Sequence, residues 1–104
     1  MTAEVIPLDI VPVTVAFDVD GCLLSAIDDR PLEDVRTLLV TLHTLGCHVV
    51  LWSGGGELHA RMAARRAGVA HAVDGYAAKG AGLVPDIAVD DQPVTLGRVN
   101  IRIP

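Results

Sequence analysis

The chain has 104 residues, 51% of them hydrophobic, only three of them aromatic, and a net charge of −5. That length bounds it to one domain, residues 1–104, with a single core that must be built mostly of Val, Leu, Ile and Ala. An aliphatic core with scattered glycines suits an α/β protein, and the acidic balance argues against broad binding to nucleic acid or to anionic membranes. Cys22 and Cys47 are too few for a disulfide scaffold and show no metal-ligand spacing, so a reduced, cytoplasmic chain is expected. No segment reaches the roughly 18 uninterrupted apolar residues of a membrane helix. The N-terminus lacks the basic and apolar regions of a signal peptide.

Residues 1–12 carry Pro7 and Pro12 around Val5-Ile6 and Ile10-Val11, which predicts a lead-in with a short edge strand at most. Val13 to Phe17 is an apolar run that reads as a buried strand, and it ends in Asp18-Val19-Asp20-Gly21. Side chains two apart on a strand point the same way, so Asp18 and Asp20 are expected to project together. Two carboxylates held close repel each other, and a hard cation such as Mg²⁺ answers that repulsion. Gly21 allows a sharp turn, and residues 21–30 form a loop rich in turn formers.

Pro31 to Leu45 is the clearest helix, with Leu32, Val35, Leu38, Leu39, Leu42 and Leu45 at helical spacing and Gly46 as its stop. His48 to Trp52 reads as a second buried strand, followed by Ser53-Gly54-Gly55-Gly56 and a helix from Glu57 to Ala67 that stops at Gly68. Val69 to Val73 is a weaker strand candidate, and Asp74-Gly75 a turn. Lys79 falls in a loop or at the start of a helical turn. Ile87-Ala88-Val89 is a third apolar run, ending at Asp90-Asp91, and Val94 to Ile103 looks like a final strand or hairpin.

Three apolar runs thus end in polar groups: Asp18 with Asp20, Ser53, and Asp90 with Asp91. Strand–helix–strand spacing implies parallel strands joined by right-handed crossovers, and ligands of open parallel sheets bind at the carboxyl ends of the strands. All these groups then converge on one crevice. Ser53 and its glycines precede a helix whose first N–H groups favour an anion, and Lys79 adds a positive charge. The inventory suits metal-assisted phosphoryl transfer.

On these residues the chain resembles the haloacid dehalogenase-like (HAD) superfamily of phosphohydrolases. Phe17-Asp18-Val19-Asp20-Gly21-Cys22-Leu23 resembles the family's first motif, with Cys22 where threonine or valine is commoner. Leu51-Trp52-Ser53-Gly54 resembles the second, Lys79 the third and Ile87-Ala88-Val89-Asp90-Asp91 the fourth. The four stand in the family's order across residues 13 to 91. The resemblance implies a three-layer, Rossmann-like parallel sheet flanked by helices. It implies no cap domain, because residues 24–48 and 55–78 leave no room for one.

It also implies roles. Asp18 would be the nucleophile that forms an aspartyl-phosphate, and Asp20 the acid and then the base. Mg²⁺ would be held by the Asp18 carboxylate, the Asp20 carbonyl, Asp90 directly, and Asp91 directly or through water. Ser53 and the Gly54 amide would hold phosphoryl oxygens, and Lys79 would offset their charge. An open site suits a bulky or macromolecular phosphoester, or a neighbouring subunit of an oligomer serving as lid.

Other residues have plainer readings. Ser53 could simply cap the next helix. Asp74 reads as a turn residue, and His43, His48, His59 and His71 as surface or strand-edge residues. Cys22, Trp52 and Met62 read as packing residues, and Arg61, Arg65 and Arg66 as a solvated helix face within reach of an anionic substrate. Two other functions fit part of the pattern. One is a receiver-type signalling domain, disfavoured because Lys79 precedes Asp90-Asp91. The other is a HAD-like scaffold without turnover.

Overall fold

The computed structural model describes residues 12–104, so the edge strand expected in the lead-in lies outside the described residues. These form a small α/β domain whose elements follow in order: β1 (Thr14–Asp18), α1 (Glu33–Thr44), β2 (His48–Ser53), α2 (Glu57–Ala67), β3 (Gly75–Ala78), β4 (Ile87–Asp90) and β5 (Val99–Arg102). The five strands make one sheet in the order β3-β2-β1-β4-β5, with every pair parallel. The arrangement is compatible with a Rossmann-like fold. No helix among the described residues is long and apolar enough to cross a membrane.

The helices end where local chemistry stops them. Gly68 takes the left-handed conformation after α2, at φ 70°, and its N–H closes back on the carbonyls of Ala64 and Arg65. Gly46, at φ 96°, follows α1 in the same way. α1 starts at Glu33, two residues later than the sequence suggests, and only part of its apolar stripe is buried. Val35 and Leu39 are buried, whereas Leu38 and Leu45 are exposed. Arg36 on α1 donates from Nε to the Ala67 carbonyl at 2.7 Å, tying the two helices together.

The expected strand at Val69–Val73 is instead a 3-10 turn over Ala70–Ala72, with Val69 and Ala72 tucked into the core three residues apart. The strand comes later, at Gly75–Ala78, where the chain pairs with Val50 through Ser53 of β2. Pairing to a buried neighbour decides a short strand more strongly than its own propensity does. At the far edge, the last strand pairs in parallel with β4, so the hairpin alternative does not arise.

The sheet is covered unequally. On one face Val15, Phe17, Val49, Leu51 and Val89 pack against Val35 and Leu39 of α1 and against Ala60, Ala63, Ala64 and Ala67 of α2. On the other, Ala16, Val50, Trp52 and Ala88 pack against Ala77 and against Leu83 and Leu96 from loops. The steps β1→β2→β3 run in one direction across the sheet, so right-handed crossovers lay both helices on one face. The return from β3 to β4, residues 79–86, carries no helix. The three-layer expectation is therefore corrected: among the described residues, helices cover one face and loops the other.

Candidate active site at the carboxyl rim of the sheet

The chain steps from β1 to one side of the sheet, then returns past it to the other, which makes the β1–β4 boundary a topological switch point. Open parallel sheets take ligands outside the carboxyl ends of their strands at such a boundary. Phe17 pairs with Val89, so Asp18 and Asp90 follow side by side at the ends of adjacent strands. Their strand predecessors Ala16 and Ala88 share a face, and alternation gives the two carboxylates that same face.

Asp18, Asp90 and Asp91 each offer a carboxylate oxygen, and the three oxygens lie within 4.8 Å of one another. Asp18 and Asp90 are 6% and 1% exposed, so water does little to screen their repulsion. Lys79 partly offsets it. Its Nζ donates to Asp18 Oδ1 at 3.3 Å and forms an ion pair, closer still, with Asp90 Oδ2. The second contact is ionic rather than a well-aligned hydrogen bond. Asp90 Oδ2 and Asp91 Oδ1 are both buried without an aligned donor. Lys79 meets Asp18 and Asp90, and Gln92 donates to Asp90 Oδ1 from its N–H at 2.9 Å and to Asp91 Oδ2 from Nε2 at 3.2 Å, so it is the two buried oxygens that keep unused acceptor capacity. Such an all-oxygen donor set fits a hard divalent cation.

The electrostatics follow. Burial, reinforced by the charge of Asp90, pushes the Asp18 carboxyl up to about 6, against the pull of Lys79. Burial also acts on Lys79, but its close contact with the Asp90 carboxylate and the charge of Asp18 prevail and raise it. The ammonium therefore stays charged. Burial likewise pushes the Cys22 thiol far up, with the charges of Asp18, Asp90 and Asp91 adding to the effect. Cys22 points its Sγ at the Val89 carbonyl, 3.6 Å away, and is a packing residue with no thiolate chemistry.

Ser53 ends β2 and is 1% exposed. Its Oγ accepts the Gly55 N–H at 2.9 Å, which leaves the hydroxyl proton for another acceptor. Its carbonyl accepts the Lys79 N–H at 2.9 Å, so the serine and the lysine are placed by one hydrogen bond. Ser53 does not cap α2. Gly56 holds that position, at φ 99°, with no side-chain cap. The first N–H groups of the helix thus begin just after Ser53-Gly54-Gly55, without a side-chain cap from the described residues.

Gly21 is required where it stands. Its φ is 80°, and a Cβ there would overlap the Asp91 carboxylate. The loop after β1 can approach the acidic cluster only without a side chain. Asp91 is held from behind by Arg102, whose Nε donates to the Asp91 carbonyl at 3.2 Å, and Ile103 N–H donates to the Asp90 carbonyl at 2.8 Å.

Asp20 differs from the expectation. β1 ends at Asp18, so strand alternation does not carry on to Asp20. Its carboxylate lies outside the three-acid cluster and turns to His59, whose Nε2 is 3.3 Å from Oδ2 and 3.4 Å from Oδ1. His59 is exposed, as its sequence reading has it, but its partner was not legible. The available signal was its place in the first turn of the helix that follows Ser53, which aims that turn at the rim. Met62 is 61% exposed rather than a core residue. Arg61 pairs with Glu57 at 2.9 Å and lies 4.7 Å from the Tyr76 ring centroid.

A cavity of about 420 Å³ lies between the start of α1 and the last residues of the chain, among Leu32, Val35, Leu38, Ile103 and Pro104. It holds none of the rim residues, and its lining offers no convergent chemistry. Compared with known proteins, the chain matches no family model, no curated protein and no solved structure.

Proposed function

We propose that the chain is a Mg²⁺-dependent phosphomonoester hydrolase of HAD-like type, without a cap, that works through an aspartyl-phosphate on Asp18. The observation that carries this reading is the convergence of Asp18, Asp90 and Asp91 within 4.8 Å, faced by Lys79, at the switch point of a parallel sheet.

Asp18, Asp90 and Asp91, with the Asp20 carbonyl, would hold the ion, which when bound supplies positive charge against the phosphoryl oxygens. An Asp18 oxygen attacks phosphorus while the bond to the alcohol oxygen breaks. Asp20, on the solvent side of the cluster, gives its proton to the departing alkoxide. It then takes a proton from the water that cleaves the phospho-aspartate, and inorganic phosphate leaves. Ser53 Oγ and the Gly54 amide orient the phosphoryl group. Lys79 neutralises charge that would otherwise build up between Asp18 and the incoming phosphate.

Strand order speaks against the receiver alternative. Receiver-type domains share the flavodoxin-like order 2-1-3-4-5, whereas β1 here lies between β2 and β4 in the order 3-2-1-4-5. The decisive assay is hydrolysis of an aryl phosphate with and without Mg²⁺, for wild type and Asp18→Asn. Metal-dependent turnover that the substitution abolishes is expected. Equal turnover in the variant would reject Asp18 as nucleophile, a stable phospho-aspartate would favour signalling, and no labelling across a panel of phosphoesters would favour a scaffold.

A further inference from the structure

A second cavity, of about 200 Å³, opens between the loop after β1 and the outer side of α2, lined by Leu24, Asp29, His59, Met62, Ala63 and Arg66. It adjoins the rim directly. The imidazole that lines it is the one in contact with Asp20, and Leu24 forms a backbone bridge with Asp20. Leu24 and Ala63 are buried and apolar, and Met62 completes the apolar side from an exposed position.

The far wall is held under strain. Asp29 has φ 57°, the only left-handed residue other than glycine among the described residues. An aspartate adopts that conformation at a cost, and such costs gather at ligand clamps. Here the conformation turns the Asp29 carbonyl toward Arg66, which donates to it from Nε at 2.9 Å and locks the loop to the helix. The loop is also closed on itself by Ser25 N–H to the Arg30 carbonyl, at 2.8 Å, and by Asp29 N–H to the Ser25 carbonyl, at 3.0 Å. The wall is therefore built before any ligand arrives.

We infer that this cavity seats the leaving alcohol of the phosphoester, and that the alcohol it selects has a compact apolar body about the size of one ring. The inference rests on the phosphatase reading and deepens it. Asp20 is the group that protonates the leaving oxygen, so the leaving group must lie on its side of the rim. His59 stands between Asp20 and the cavity, and orients the carboxylate at the opening. An apolar cavity near 150 Å³ holds a benzene ring, so the present volume admits one ring or a short branched alkyl group. Leu24, Met62 and Ala63 make half of the lining an apolar surface, against which the hydroxyls of a sugar or glycerol body would lose hydration without replacement. Arg66 and Asp29 at the wall limit how far the group can extend.

The test compares benzyl phosphate with glycerol 1-phosphate, two esters of alkyl alcohols, under Mg²⁺, for wild type, Met62→Gln and Asp29→Gly. Wild type should prefer benzyl phosphate by about tenfold in kcat/KM, the size of effect that burying part of a ring supplies. Met62→Gln should reduce that preference severalfold, mainly through KM for the benzyl ester. Asp29→Gly relieves the strained wall and should also erode the preference while raising thermal stability. If wild type hydrolyses both esters with equal kcat/KM, or if Met62→Gln leaves their ratio unchanged, the cavity is not the leaving-group seat although the phosphatase reading stands. If neither ester nor an aryl phosphate is turned over, that reading fails and this one falls with it.

Discussion

Both ends of the sheet carry aspartates, and they behave in opposite ways. At the amino end each acid has a backbone donor of its own. Asp86 accepts the Thr14 N–H at 2.8 Å, and Asp74 accepts the Val49 N–H at 2.8 Å with His43 3.5 Å away. Each of these acids directly precedes a strand and secures the start of another, β1 in the first case and β2 in the second. At the carboxyl end Asp90 also takes a backbone N–H, from Gln92 onto Oδ1 at 2.9 Å, but Asp18 and Asp90 crowd one lysine, and Asp90 Oδ2 and Asp91 Oδ1 are buried with no aligned donor. Carboxylates distributed one per donor stabilise a sheet. Carboxylates gathered around too few donors oppose folding and leave coordination capacity for a cation.

The contrast breaks most clearly at Asp18. Asp18→Asn should abolish phosphatase turnover, a loss of at least about 10⁴-fold, as expected for a nucleophile. In metal-free protein the same substitution should stabilise. The Asp18 carboxyl keeps its proton up to about pH 6 when folded, against an ordinary value of 3.8. Between those values the folded state binds more protons than the unfolded one, so stability falls as pH rises from about 4 to about 6 and is level beyond. Removing the charge should recover on the order of 3 kcal/mol at pH 7, read by urea unfolding in chelator. Greater stability of wild type over the variant in chelator would contradict this account of the rim.

At the opposite end, Asp74→Ala should leave turnover in place and cost about 1–3 kcal/mol, because the Val49 N–H loses its acceptor. An activity loss without a stability loss would erase the distinction between the two ends. Lys79→Ala should lower kcat about 100-fold, the scale of losing one electrostatic donor. It should also make metal-free protein less stable, since three carboxylates then face one another without a cation. Added Mg²⁺ should restore the stability and not the rate.

Smaller effects sharpen the same contrast. Gly21→Ala should raise the Mg²⁺ concentration needed for half-maximal activity severalfold, because the new methyl group displaces the Asp91 carboxylate. Isothermal titration with Mg²⁺ alone gives the same readout without turnover. His59→Ala should lower kcat about tenfold, and His59→Gln, which keeps a donor near the Nε2 position, should recover most of it. Equal losses in both variants would deny His59 its part in orienting Asp20.

Much of this architecture was legible residue by residue. Leu51 and Trp52 lead to Ser53 in a run too apolar to be anything but a buried strand, and Glu57 through Ala67 lies between its glycines as a helix. Asp18, Ser53 and Asp90 close apolar runs, so parallel pairing alone brings them to one end. The strand near residue 75 was harder. Gly-Tyr-Ala-Ala carries little strand propensity, and only pairing with β2 makes it one. Asp20 departs from strand alternation because the rule lapses once β1 ends at Asp18. Met62 stays exposed because the helix presents its alanines, not its longer side chains, to the sheet.

By itself the order of residues determined which groups reach the carboxyl end of the sheet, because strand boundaries and alternation are local properties of the chain. It determined the apolar runs and the glycine stops in the same way. Only tertiary structure decided how those groups meet: Lys79 between Asp18 and Asp90, His59 on Asp20, Gly21 under Asp91, and helices on a single face. These are contacts between segments tens of residues apart, set by strand order and by the direction of each crossover, and no local window of sequence contains them.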